Sequence, residues 1–242
     1  MRIIIKKNYE QMSKQAALMI ASQIRLQPDS VLGLATGSTP LGTYEHLIKM
    51  YEKDEIDFSG VTTFNLDEYY PISPTNPQSY HHYMKNNLFQ QVNIKPNNYH
   101  LLDGTTDNVE KECRDYDEKI KLAGGIDLQL LGIGANGHIG FNEPADKLNV
   151  TTHLVKLKEE TIEQNSRFFN RKEDVPRQAL TMGISAILKA KRIILLASGK
   201  QKAEAIKQTV SQNVTTRVPS SLLQTHPQFT LILDQEAASL LS

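Results

Sequence analysis

The sequence predicts an α/β protein: an open, mostly parallel β-sheet with helices on both faces. Three observations carry this. Short apolar runs alternate with amphipathic stretches along nearly all 242 residues. The runs are continuous rather than alternating, so both faces of their strands are buried. Segments rich in glycine and hydroxyl residues follow several of them. Strands that alternate with helices become parallel neighbours joined by right-handed crossovers.

Ile3, Ile4 and Ile5 form a first strand, and Met12, Ala16, Met19, Ala21 and Ile24 then recur at near-helical spacing up to Pro28. Residues 31–35 make a buried strand. Leu41, Tyr44, Leu47, Ile48 and Tyr51 mark the next helix, with Pro40 at its favourable first position. Residues 61–65 are a β-branched strand, and 79–92 a helix with Tyr80, Tyr83 and Leu88 turned inward. Val109, Cys113, Tyr116 and Ile120 share a helical face, and residues 126–133 form a strand. Residues 151–157 alternate as a half-exposed strand, while 158–177 are polar and mixed. Residues 193–197 are again a strand, followed by a helix carrying Ala203, Ile206 and Val210, and 229–233 are the last strand. With no internal repeat, linker or composition break, residues 1–242 read as a single Rossmann-like domain.

Composition narrows the function. The chain has 27 Lys and Arg against 27 Asp and Glu, so its formal net charge is zero and no nucleic-acid partner is expected. The one cysteine, Cys113, excludes an internal disulfide framework and a Cys-rich zinc module. Its place on the apolar helical face suits a buried thiol better than a nucleophile. The N-terminal apolar run is too short for a signal peptide, and no run approaches the ~18 residues needed to span a bilayer. A cytoplasmic enzyme with no membrane partner is expected.

In open α/β sheets, ligands bind beyond the carboxyl ends of the strands. There the sequence has Thr36-Gly37-Ser38-Thr39-Pro40, then Leu66-Asp67-Glu68-Tyr69, then a glycine-rich stretch from Gly134 to Pro144, then Ser198-Gly199-Lys200-Gln201-Lys202. The first is a short glycine turn at a helix N-terminus, where free N–H groups and the helix dipole suit a phosphate; the alternative is a plain Ser/Thr helix cap. It is not a Walker A loop, which needs Gly-Lys-Ser/Thr. Gly132, Gly134 and Gly137 match the dinucleotide fingerprint formally, but Gly140, Asn142 and Pro144 make a poor helix after them. The glycines instead let the backbone approach a small polar substrate. His138 and Glu143 lie five apart, and a carboxylate that fixes an imidazole tautomer makes a proton shuttle. Asp67 is a second candidate base, while Glu68 reads as a base or as a solvated rim charge. Arg167 and Lys202 are the cations to aim at an anion, with solvated surface charge as the alternative for each. The seven histidines show no metal-ligand spacing, so no metal is expected.

These motifs converge on a family. The blocks Gly33 to Pro40, Asn65 to Tyr69, Leu131 to Pro144, Asn165 to Phe169, Ala179 to Gly183 and Gly199 to Ala203, in that order, resemble glucosamine-6-phosphate deaminase, of the glucosamine/galactosamine-6-phosphate isomerase family. The resemblance implies conversion of glucosamine 6-phosphate and water to fructose 6-phosphate and ammonia, without a cofactor. It also implies a hydrolase of amino-sugar and carbohydrate metabolism, in N-acetylglucosamine catabolism. His138 would open the pyranose ring, held by Glu143 and Asn136, and Asp67 would move the C2 proton to C1. Gly37, Ser38, Thr39, Arg167 and Lys202 match residues that hold the phosphate, with Thr36 in the same loop. Residues 158–177 match a mobile lid.

Two departures stand out. Some members carry Asp where this chain has Asn136, which leaves Glu143 as the anionic partner of His138. Allosterically regulated hexameric members extend beyond their final strand, whereas this chain stops at Ser242, so the expectation is a monomer or small homo-oligomer without that allosteric site. Two alternatives differ in class: a 6-phosphogluconolactonase-type hydrolase, which needs no base at C2, and a non-catalytic phosphosugar sensor, which binds without turnover.

Overall fold

A computed structural model describes residues 1–166, 169 and 171–241. Strand β1 (Arg2–Lys6) leads into α1 (Tyr9–Leu26), and β2 (Val31–Leu34) into α2 (Leu41–Tyr51). β3 (Thr62–Asn65) runs almost directly into β4 (Asp67–Tyr70). Then come α3 (Tyr80–Met84), continued by a π-helical turn over Lys85–Phe89, and the two-residue β5 (Tyr99–His100). α4 (Val109–Leu122), β6 (Leu128–Leu131), β7 (His153–Lys156) and α5 (Glu159–Ser166) follow. The order ends with β8 (Gln178–Thr181), α6 (Ile184–Leu188), β9 (Arg192–Ala197), α7 (Ala203–Thr209) and β10 (Phe229–Asp234). The longer helices start where a side chain can satisfy a free N–H: Asn8 accepts from Gln11 N before α1, and Asn108 from Lys111 N before α4.

Seven strands form one parallel sheet in the order β1-β10-β9-β6-β2-β3-β5. Its apolar side chains divide by strand alternation. Leu32, Leu34, Leu128, Leu130, Ile194 and Leu196 pack under α1, α2 and the π-helical turn. Val31, Leu131, Ile193, Leu195, Leu231 and Leu233 pack under α4, α6 and α7. Helices therefore cover both faces, as the continuous apolar runs predict. Each fully buried Leu or Ile contributes roughly 1.5–3 kcal/mol, so the centre of the sheet is a rigid base for the loops.

The fold departs from the sequence reading at a second sheet. β4, β8 and β7 form a small antiparallel sheet in the order β4-β8-β7. The expected half-exposed strand near 151–157 is β7, at one edge of it. The chain passes from the large sheet to the small one at Leu66, whose N–H donates to Leu34 O at 3.2 Å and whose carbonyl accepts from Met182 N at 2.7 Å. Asp67 is therefore the first residue of a strand and not part of a loop. Pro40 stands just before α2, at its cap position. Among the described residues, no helix is long and apolar enough to cross a membrane.

Candidate active site

Strand order reverses between β2 and β6. From β2 the chain moves outward to β3 and β5, and from β6 it moves the other way to β9 and β10. Loops leaving adjacent strands in opposite directions open a crevice at their carboxyl ends. One cavity lies there, lined by the 36–39 loop after β2, Leu66 and Asp67 after β3, Gly132 to Gly134 with His138 after β6, Lys202 after β9, and Thr161 of α5.

Three tyrosines shape the 36–39 loop. Tyr44 Oη donates to Ala35 O at 2.5 Å, Tyr83 Oη to Gly37 O at 2.6 Å and Tyr9 Oη to Ser38 O at 3.0 Å. Tyr9 Oη also accepts from Gly42 N at 2.8 Å. A trans peptide sets its N–H opposite its carbonyl. With the carbonyls of Gly37 and Ser38 turned to tyrosines, the N–H groups of Ser38 and Thr39 point the other way. Gly37 has φ +89°, a left-handed turn that a side chain would strain. No side-chain hydrogen bond caps α2, so the Ser38 and Thr39 hydroxyls are not its cap. Sequence reasoning singled out the loop but missed Tyr9, Tyr44 and Tyr83, whose partners lie 29, 9 and 46 positions away.

On the opposite wall, Asp67 pairs with Thr181 across β4 and β8 and is only 6% exposed. Burial, with the neighbouring Glu68 charge adding to it, pushes its carboxyl up to about 8. Glu68 is not a solvated rim charge. It is fully buried and accepts from the N–H groups of Tyr69 and Tyr80 at 2.9 Å and of His81 at 3.0 Å, with His81 Nδ1 at 3.1 Å. A buried carboxylate needs such partners, and two of them here are the first N–H groups of α3. Glu68 thereby ties β4 to the helix carrying Tyr80, whose ring stacks on Phe141 at 6.2 Å beside the cavity.

The loop after β6 opens no helix, so the dinucleotide fingerprint has no structural counterpart. It folds back on itself instead: Gly134 N donates to His138 O, and Gly137 N to Gly134 O, each at 3.0 Å. A Cβ on Gly134 would stand 2.2 Å from the His138 ring, so glycine is required for the imidazole to sit there. His138 Nδ1 lies 3.5 Å from Glu143 Oε2. Asn136 braces the pair, accepting from His138 N at 3.2 Å and donating to Glu143 Oε2 at 2.8 Å. It thus meets His138 through the backbone and not through the ring. Glu143 Oε1 accepts from the Thr161 hydroxyl, a residue the sequence reading did not pick out. Burial pushes Glu143 up, but His138, Thr161 and Asn136 outweigh it and hold the carboxyl at about 2. The pair is therefore an ionised carboxylate facing an imidazole, with the ring edge on the cavity.

A family model described as glucosamine-6-phosphate isomerases/6-phosphogluconolactonase matches residues 6–232. The chain belongs to this family. A glucosamine-6-phosphate deaminase of Halothermothrix orenii is 66% identical over 241 residues, covering 100% of both chains. The solved structure of a monomeric glucosamine-6-phosphate deaminase is 46% identical with a TM-score of 0.97, covering 99% of this chain and 100% of that one. A 6-phosphogluconolactonase from Leishmania guyanensis, at 23% identity and a TM-score of 0.77 over 100% and 98% of the two chains, shares the fold. The expected class word hydrolase is corrected by these likenesses. The full-length relatives of high identity are named deaminases, in a family described first as isomerases.

Within this family member, Thr36, Gly37, Ser38, Thr39, Asp67, His138 and Lys202 converge on one cavity, with Asn136 and Glu143 behind His138. Lys202 is half-buried at the end of a short 3-10 turn, whose preceding Gly199 N is held by the Asp234 carboxylate at 3.1 Å. Arg167 lies outside the described residues.

Proposed function

We propose that the chain converts glucosamine 6-phosphate and water to fructose 6-phosphate and ammonia. The carrying observation is that Asp67, the first residue of β4, and His138, in the loop after β6, line the same cavity as the 36–39 loop and Lys202. In this reading the phosphate lies against the N–H groups of residues 37–39 and the Lys202 ammonium, with Arg167 joining it. His138, with Nδ1 turned to Glu143, takes the O1 proton and returns it to the ring oxygen, so the pyranose opens to the aldehyde. Asp67 removes the proton from C2, the electrons pass to the carbonyl, its oxygen takes a proton from the substrate's ammonium group, and a neutral enolamine forms. Asp67 then returns the proton to C1, leaving an iminium at C2. Water adds there and ammonia leaves, giving the ketose. A raised proton affinity makes the ionised Asp67 carboxylate a stronger base for the C2 proton, and the proton it takes stays beside the carbon for return to C1.

The same reading treats residues 1–242 as one phosphosugar domain and 158–177 as a lid over the sugar. It also includes a cytoplasmic monomer or small homo-oligomer. The full-length likeness to a monomeric deaminase supports that state.

A coupled assay tests the proposal with purified protein, glucosamine 6-phosphate and no added metal. Equal amounts of ammonia and fructose 6-phosphate are expected. Phosphosugar binding without ammonia would overturn deamination and leave the sensor; opening of a phosphogluconolactone in its place would leave the lactonase.

A further inference from the structure

The Glu143 carboxylate is held from two directions. Asn136, in the same loop, donates to Oε2. Oε1 is held by the hydroxyl of Thr161, which comes from α5, 18 positions further on. A carboxylate tethered at one oxygen still rotates about its last torsion, which is soft. Tethered at both, its plane is set. At a Nδ1–Oε2 separation of 3.5 Å, that plane decides whether Glu143 engages the His138 ring or lies across it.

The origin of the second tether matters. α5 lies within the segment 158–177. Ile162 and Leu157 join a small apolar cluster with Tyr69 and Phe141, and Lys158 Nζ donates to Pro144 O at 2.7 Å. On its outer side, Glu159 and Glu163 pair with Lys172 at the surface, where ion pairs contribute little. Thr161 itself is only 4% exposed, and its branched Cβ restricts the hydroxyl's direction. A hydrogen bond to an ionised, buried acceptor is among the stronger kinds.

We infer that Thr161 is a positioning residue whose hydroxyl makes the His138–Glu143 pair competent only while α5 is seated against the site. The inference rests on the deaminase reading and deepens it: seating of α5 and ring opening by His138 are coupled through one hydroxyl. Thr161 acts through Glu143 and exchanges no proton with the sugar. A bare packing role for Thr161 predicts different behaviour, because valine keeps its shape and loses only the donor.

The experiment compares Thr161→Val with Thr161→Ser in the full chain. For Thr161→Val the expectation is a kcat lower by about tenfold with KM within about twofold, and Thr161→Ser restores kcat to within about threefold. The open-chain amino-alditol 6-phosphate needs no ring opening, so its affinity is expected to be unchanged in both variants. The His138 imidazole nitrogen signals in the NMR spectrum of the empty protein are expected to shift in Thr161→Val and to return in Thr161→Ser. An unchanged kcat in Thr161→Val, or a loss in Thr161→Ser equal to that in Thr161→Val, would overturn the inference. So would a parallel loss of alditol affinity. If the wild type releases no ammonia, the deaminase reading fails, and unshifted His138 signals in Thr161→Val still overturn the positioning role by themselves.

Discussion

Asp67 combines two properties that are in tension. Its carboxyl is almost out of contact with water and sits next to a second buried acid, Glu68, which raises its proton affinity. Glu68 is served by three N–H groups and an imidazole nitrogen, whereas Asp67 faces the cavity. A group that readily accepts a proton and keeps it at hand is what transfer from C2 to C1 requires. Asp67→Asn preserves the shape and removes the carboxylate proposed as the base. It should lower ammonia release by about 10² to 10⁴ and stop exchange of the C2 hydrogen with solvent, while phosphosugar affinity stays nearly intact. Deuterium uptake at C2, followed by NMR beside a binding titration, measures both; normal uptake in the variant would remove Asp67 from the role.

At the level of elements, the 36–39 loop, proposed to face the phosphate, depends on hydroxyls from three helical regions. α1, α2 and the α3 region each supply one tyrosine hydroxyl to a carbonyl of residues 35–38. Tyr83→Phe keeps the ring and frees the Gly37 carbonyl. A net hydrogen bond is worth about 1 kcal/mol, so KM for the phosphosugar should rise by roughly fivefold with kcat unchanged, and inhibition by inorganic phosphate should weaken in proportion. Steady-state kinetics with phosphate as inhibitor reads both, and a fall in kcat alone would contradict this account. These tyrosines show what a linear reading can and cannot see. The long parallel strands were legible because runs such as residues 193–197 are apolar without interruption, and the 36–39 loop, Asp67 and His138 were legible as polar groups at strand ends. The second sheet was not. β4 is Asp67-Glu68-Tyr69-Tyr70 and β8 is Gln178-Ala179-Leu180-Thr181, four residues each, with no alternation to betray a strand. Their strand character comes from pairing with each other across more than a hundred positions. Glu68 stayed open between a base and a solvated rim charge for the same reason, since the N–H groups of Tyr80 and His81 that it accepts from lie at the start of a helix twelve and thirteen positions on. Thr161 likewise has meaning only beside Glu143.

For the molecule as a whole, the meeting of the two sheets fixes Asp67 in place. Leu66 is bonded to both sheets through its backbone, so the next residue cannot turn out to solvent without breaking one of them. The consequence is a dependence of folding stability on pH. Asp67 is raised from the usual 3.8 to about 8, so between these values the folded chain holds a proton that the unfolded chain has lost. Its contribution is fully present below about pH 4 and disappears as pH rises through 8. Glu143 is lowered from 4.5 to about 2, and its contribution is present above 4.5 and lost as pH falls towards 2. The two windows hardly overlap, so from pH 5 to pH 8 the Asp67 slope stands alone of the pair. One proton of difference is worth up to about 1.4 kcal/mol per pH unit. Asn does not ionise, so Asp67→Asn lacks this slope and should gain stability on the wild type steadily from pH 5 to pH 8. Urea unfolding of both proteins at several pH values measures the difference, and a gap constant with pH would show that Asp67 carries no such proton. A gap that widens towards pH 8 would mean that the base is kept in a dry site at a standing cost to the fold, the exchange of stability for activity that buried catalytic groups impose.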